Sequence, residues 1–262
     1  MSAYHNTTPC GDWSGCTRCR LHITRRTVIT RRSGLIKHGV ITHGAYYTNP
    51  QTYSLSSPTL PHVLFIGEAP GELEDMLGLA FWGPAGNILD RILIECSNAH
   101  PGHKHIPSCI HKLTDLQTTN SATEACPSCQ LRTRYGPTNF YFTITNTVCC
   151  RPVHTVDTTP TIKLHGRNRQ PTEAEINSCK NHILELIQLS TPHSSVPAHS
   201  VPFPITHVVC LGEVANKAYG TLGVPHPALH LLHPAFIARM DYQHLPIIKQ
   251  AESLRTWIRQ KH

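Results

Sequence analysis

Four short stretches combine residue types that can do chemistry. Gly67-Glu68-Ala69-Pro70-Gly71-Glu72-Leu73-Glu74-Asp75 sets glycines, which let a backbone turn tightly or approach a ligand, beside carboxylates that can accept hydrogen bonds or act as a base. Ala80-Phe81-Trp82-Gly83-Pro84-Ala85-Gly86 holds an aromatic that could stack on a flat ligand or equally fill a core. Asn146 closes an apolar run, and its amide both donates and accepts, as reading the edge of a base requires. His233-Pro234-Ala235 adds an imidazole. Each stretch also has a plain structural reading. Strand-to-helix links use Gly and Pro, a terminal Asn forms turns, and a lone His can simply be packed.

The cysteines form a second group. Eleven is an odd number and too few for a dense disulfide scaffold of this length. Cys16-x2-Cys19 suits two ligands of one metal centre, and Cys150 and Cys179 lie near a second strand and its helix. Four cysteines in two places could hold Zn²⁺ or an iron–sulfur cluster, and spacing alone does not choose. Cys126-x2-Cys129, with Cys109 and His111 (or, in its place, His103 or His105), forms a candidate Cys3His zinc site.

The elements that must position these residues follow from periodicity. Residues 61–67, 140–146, 207–212 and 230–233 read as strands. Pro84 opens a helix to Cys96, with Ile88, Ile92 and Leu93 on one face. Thr172, with Glu175 three residues on, is a capping-box start for a helix to about Leu189. Shorter and longer helices are expected over Glu213–Tyr219 and Leu245–Gln260. Strands alternating with helices imply an α/β fold, a three-layer α/β/α sandwich around a mostly parallel four-stranded sheet. Ligands of such sheets bind at the carboxyl ends of the strands, where Gly67-Glu68, Asn146 and His233 fall.

The motifs Gly67-Glu-Ala-Pro-Gly-Glu72, Phe81-x-Gly-x-Ala-Gly86, Ile144-Thr-Asn146, Cys150-Arg-Pro152, Pro171-Thr-x-x-Glu-Ile176, Cys179 and His233-Pro-Ala235 stand in the order seen in uracil-DNA glycosylases. Together with Cys16-x2-Cys19-x-Leu21-x3-Arg25, the chain resembles the family-4 type, which carries a [4Fe-4S] cluster. The likeness spans roughly residues 16–95, 139–189 and 206–240.

That resemblance implies a [4Fe-4S] cofactor held by Cys16, Cys19, Cys150 and Cys179, with Cys149 one register away from Cys150. It also implies a base pocket around Gly67, Ala69 and Gly71, in which Phe81 stacks on a flipped base, Asn146 reads its Watson–Crick edge and His233 donates to uracil O2. Glu68, Glu74 or Asp75 would position water or favour the cationic sugar, and the sequence does not choose among them. Breaking an N-glycosidic bond yields an oxocarbenium-like sugar and an anionic base, so one side needs a carboxylate and the other a donor.

The reading is a monofunctional hydrolase acting on uracil in single- or double-stranded DNA, since no motif places a lysine for Schiff-base chemistry. One alternative is a covalent uracil-DNA cross-linking protein. A related cluster-containing branch has a basic loop ending in a reactive His, to which Lys163-Leu164-His165 is faintly similar. Ala69 stands where that branch has Gln. A second alternative is a nonenzymatic DNA-binding or partner-binding module on the same fold.

Composition sets the outer bounds. With 262 residues the chain can bury a sizeable core. We expect one domain over 1–262, with a cluster-binding segment at 10–60, a Cys/His-rich insertion at 97–137 and a Pro/Ser/His-rich linker at 190–204. A formal net charge of +7 suits a polyanionic partner such as DNA. No apolar stretch reaches membrane-spanning length, and Met1-Ser2-Ala3-Tyr4-His5-Asn6 is not a secretory leader pattern. The expectation is a monomer in the cytoplasm or at the nucleoid, the host cytoplasm if a phage encodes it.

Overall fold

His62-Val-Leu-Phe-Ile-Gly67 has no polar face to turn to water, and it becomes the central strand. The computed structural model describes residue 13 and residues 15–29, 31–43, 60–97, 138–154, 167–188 and 205–260. Within it the strand over His62–Gly67 is buried at every position. Its side chains alternate between two cores, Val63 and Phe65 in one and Leu64 and Ile66 in the other. That double burial is what a parallel strand under helices on both faces requires.

In chain order the strands are β1 (Arg32–Lys37), β2 (Val40–His43), β3 (His62–Gly67), β4 (Phe140–Asn146), β5 (His207–Leu211) and β6 (Ala228–Leu231). The helices are α1 (Glu72–Leu77), α2 (Pro84–Ser97), α3 (Glu173–Gln188), α4 (Glu213–Gly220), α5 (Pro234–Ala238) and α6 (His244–Arg259). The sheet order is β2-β1-β4-β3-β5-β6. β4, β3, β5 and β6 run parallel, with β3 central between β4 and β5. One face packs against α2, α5 and α6 through Ile88, Leu89, Ile92, Ile237, Ile247 and Leu254. The opposite face packs against α3 and α4 through Ile183, Leu186, Ala215 and Tyr219. These are the three layers that the strand–helix alternation implies.

The sheet has six strands rather than the expected four. The extra pair, β1 and β2, comes from the N-terminal segment, which reads as polar and broken. It is an antiparallel hairpin with Lys37 opposite Val40, so His38 and Gly39 form a two-residue loop. Both have positive φ, 51° and 74°, the signature of a type I′ turn matched to strand twist. β1 then pairs antiparallel with β4, and buried Arg32 reaches Asp90 of α2 at 2.5 Å. The hairpin thus closes the β4 edge of the parallel sheet.

Register brings the ends of the parallel strands together. Gly67 is opposite Asn146. Thr147 N–H donates to Gly67 O at 2.9 Å, and its hydroxyl donates to Glu68 O. Gly212 N–H donates to Leu231 O at 2.8 Å, which sets the turn after β5 against the approach to His233. Residues 98–137, with Cys109, His111, Cys126 and Cys129, lie outside the described residues, as do His165 and the 190–204 linker. Among the described residues no helix is long and apolar enough to cross a membrane.

Candidate active site

A cleft of about 570 Å³ opens over these strand ends. Glu68, Ala69, Gly71 and Glu74 line it from the β3–α1 loop, and His233 lines it from the turn into α5. Phe81 and Asn146 are buried behind that wall, 4% and 1% exposed. Their contact runs through Gly67, where any Cβ would collide with both the Phe81 ring and Asn146 Oδ1. The Phe81 ring in turn lies 6.0 Å from that of His233. A methyl at Gly212 would likewise strike the His233 side chain. Two glycines at strand ends therefore let an aromatic, an amide and an imidazole approach one another.

The polar atoms there are the unusual feature. Asn146 Nδ2 and Oδ1 and His233 Nε2 are shielded from solvent and have no hydrogen-bond partner among the described residues. Native proteins pair nearly all such groups with protein, water or ligand, so an unpaired set gathered behind a cleft is a candidate for contact with a ligand's own groups. His233 Nδ1 accepts the N–H of Ala235 at 3.1 Å, which leaves Nε2 as the protonated nitrogen of the neutral ring. Burial, with Arg239 a lesser cause, pushes this imidazole down to about 4, so it is uncharged at neutral pH.

The three acids have different surroundings. Glu68 is half-buried on the cleft wall, burial raises its carboxyl above the ordinary value, and that carboxyl takes no hydrogen bond or ion pair among the described residues. Glu74 also reaches the wall, but Oε2 accepts Gly71 N–H and Oε1 accepts Phe81 N–H. Asp75 is buried and absent from the cleft lining. Its Oδ1 accepts Arg26 N–H at 2.9 Å and Thr27 N–H at 3.3 Å, which pins the N-terminal segment to α1.

The opposite wall comes from Asn168, Arg169 and Gln170. Arg151 Nε donates to Asn168 Oδ1 at 2.6 Å, and Arg169 pairs with Glu175 through both nitrogens at 2.6 and 2.8 Å. Glu175 is held below the usual carboxylate range by that arginine. It also completes the expected capping box, accepting Thr172 N–H at 2.8 Å while Thr172 Oγ1 accepts Glu175 N–H at 3.3 Å. Sequence reasoning missed Arg169 and Arg239 on the wall, and half-exposed Trp82 and Phe236 beside them. Trp82 and Phe236 could have been suspected as neighbours of Phe81 and His233, whereas Arg169 follows an aperiodic stretch with no such signal.

Behind the β4 end lies a small sulfur-rich core. Cys150 and Cys179 pack with Leu21 and Val148, and Cys19, Val28, Ala69 and Ile176 lie against them. Cys16 and Cys19 precede a short 3-10 turn at Arg20–Ile23. Burial pushes the Cys150 thiol up to about 12, against the pull of Arg25, whose Nη1 lies 3.7 Å from Cys150 Sγ and donates to Cys16 O. Burial also raises Cys19, and the neighbouring Cys179 and Cys16 add to the effect. Cys149 shares a hydrogen bond with Cys179, which holds Cys179 down and Cys149 up. Among the described residues no three Cys, His, Asp or Glu side chains close on a single-ion site.

A cleft at the strand ends of an α/β/α sheet, walled by carboxylates and an imidazole, lies where sheets of this kind bind their ligands. The family model described as uracil DNA glycosylase superfamily matches residues 54–258, and the chain belongs to that superfamily. A comparison with curated proteins returns no match.

Proposed function

We propose that the protein flips uracil out of DNA, hydrolyses its N-glycosidic bond and leaves an abasic site. The observation that carries this reading is the unpartnered set formed by Asn146 Nδ2, Asn146 Oδ1 and His233 Nε2. Uracil presents an acceptor at O4, a donor at N3 and an acceptor at O2. An amide supplies the complement of the first two, and a neutral imidazole N–H supplies the third. Phe81 stacks on the ring. His233 donates to O2 as charge accumulates there, and its neutrality makes it a hydrogen-bond donor rather than a charged acid. Glu68, of the three acids, takes the role of steadying the cationic sugar or orienting the attacking water, because Glu74 and Asp75 are engaged with backbone N–H groups. No lysine lines the cleft among the described residues, which suits hydrolysis without strand scission.

The cofactor we propose is a [4Fe-4S] cluster on Cys16, Cys19, Cys150 and Cys179. What supports this is that Cys150, Cys179 and Cys19 pack in one small core, Cys16 precedes the same 3-10 turn as Cys19, and Arg25 can offset negative charge on the thiolates. The cluster would supply a structural cross-link between the N-terminal segment, the β4 end and α3.

The test is a labelled oligonucleotide with a single uracil, single-stranded or opposite G or A, incubated with anaerobically purified protein. An alkali-labile break at the uracil is the expected result. A DNA band shifted to protein mass that survives SDS, or a mobility shift with no abasic site, would overturn the hydrolytic reading.

A further inference from the structure

Phe81 has φ of +53°, a left-handed backbone that a bulky aromatic rarely adopts without being held there. The holding group is Glu74. Its Oε1 accepts the Phe81 N–H, and its Oε2 accepts the Gly71 N–H at the start of α1. From the other side, α2 packs so closely that a Cβ at Gly86 would run into the Phe81 carbonyl. The Phe81 ring then comes to rest on Gly67, beside Asn146 Oδ1.

From this geometry, and resting on the function proposed above, we infer that Glu74 is a positioning residue: its carboxylate clamps the start of α1 to the Phe81 turn and so aims the stacking ring at the flipped base. Two backbone donors converge on the two oxygens of one side chain, one on each. Only a carboxylate can serve them, because an amide offers one acceptor oxygen and turns its NH2 group toward the remaining N–H. Aspartate, one methylene shorter, cannot span from α1 to the turn. The same bonds draw on both of the oxygens a general base would use. Glu74 therefore acts through Phe81 rather than on the sugar.

The test is a double-mutant cycle of Glu74→Gln and Phe81→Ala, read as single-turnover excision and as affinity for an oligonucleotide already carrying an abasic site. Alone, Glu74→Gln should slow excision ~10- to 100-fold, as expected for a small misplacement of a catalytic group, and leave abasic-DNA affinity unchanged. With Phe81→Ala already present it should add less than about 2-fold, since partners in one device are not additive. Full multiplication of the two losses would overturn the inference.

Amide hydrogen exchange supplies a readout independent of activity. Faster exchange at Phe81 in Glu74→Gln, with α2 amides unchanged, is expected; unchanged protection at Phe81 would overturn the clamp. A wild-type protein that excises no uracil would refute the proposed function, and exchange would still decide the clamp.

Discussion

His233 Nδ1 accepts the backbone N–H of Ala235 at 3.1 Å, so the first turn of α5 sets the tautomer of the imidazole above it. The proton of the neutral ring is thereby on Nε2, the atom left without a partner. An N-cap side chain, held by the helix N–H it caps, becomes a directed donor with no further machinery.

His233→Ala should slow single-turnover excision ~10²-fold or more, the effect of losing one donor to a developing anion. The depressed pKa adds a stability signature. The native protein binds fewer protons here than the unfolded chain between the ordinary histidine value of 6.5 and about 4. Stability contributed by this residue is therefore present above that window and is lost as pH falls through it, by about 3 kcal/mol. Urea melts at stepped pH should show a shallower acid decline for His233→Ala than for wild type; equal declines would contradict the assignment.

Asn146→Ala should cost ~10²-fold or more in excision and leave stability little changed. A buried amide with no partner carries about 1–3 kcal/mol of desolvation penalty, and removing it offsets the small cavity left behind. Paired activity and thermal-melt measurements check this. A large loss of stability would mean the amide has a structural partner.

For Glu68 the expectation concerns pH. Burial raises its carboxyl, so an ionised Glu68 should give an acid limb in the excision rate with a midpoint above the ordinary carboxylate value of 4.5. The rate falls as pH drops through that midpoint, because the protonated form cannot stabilise a cationic sugar. Glu68→Gln should lower the plateau and abolish this limb. A limb that persists at the same pH assigns the titration to another group.

Metal content tests the sulfur-rich core. Anaerobically purified protein should carry about four irons per chain and a visible charge-transfer band. Cys179→Ser should lower both and reduce thermal stability while the purified protein keeps its far-ultraviolet circular dichroism. Zinc measured alongside, and its loss in Cys126→Ser, checks the separate site proposed for Cys109, His111, Cys126 and Cys129. Zinc without iron in the wild type would reject the cluster.

Much of the fold was legible locally. The β3 run and β4 read as strands because, His62, Gly67 and Asn146 apart, every residue is apolar, aromatic or β-branched, and Thr172 with Glu175 marks α3 through a cap made within four residues. The β1–β2 hairpin was missed although His38-Gly39 carries a turn signal, because Ser33, Gly34 and Lys37 dilute the apolar pattern. These residues become strand by pairing with β4, a partner over a hundred residues away.

The candidate site divides along the same line. The family resemblance carried by short motifs is what named Phe81, Asn146, His233 and the four cysteines as candidates, because motif chemistry is written in short segments. Which carboxylate faces the cleft was not readable, since Glu68, Glu74 and Asp75 are chemically alike and lie within eight residues. Tertiary structure separates them through the donors each one meets: cleft for Glu68, the Gly71 and Phe81 N–H groups for Glu74, the Arg26 and Thr27 N–H groups for Asp75. Local sequence determines secondary structure and supplies functional groups. Only long-range packing decides where a carboxylate's lone pairs are directed, because those partners come from segments that meet when the sheet is assembled.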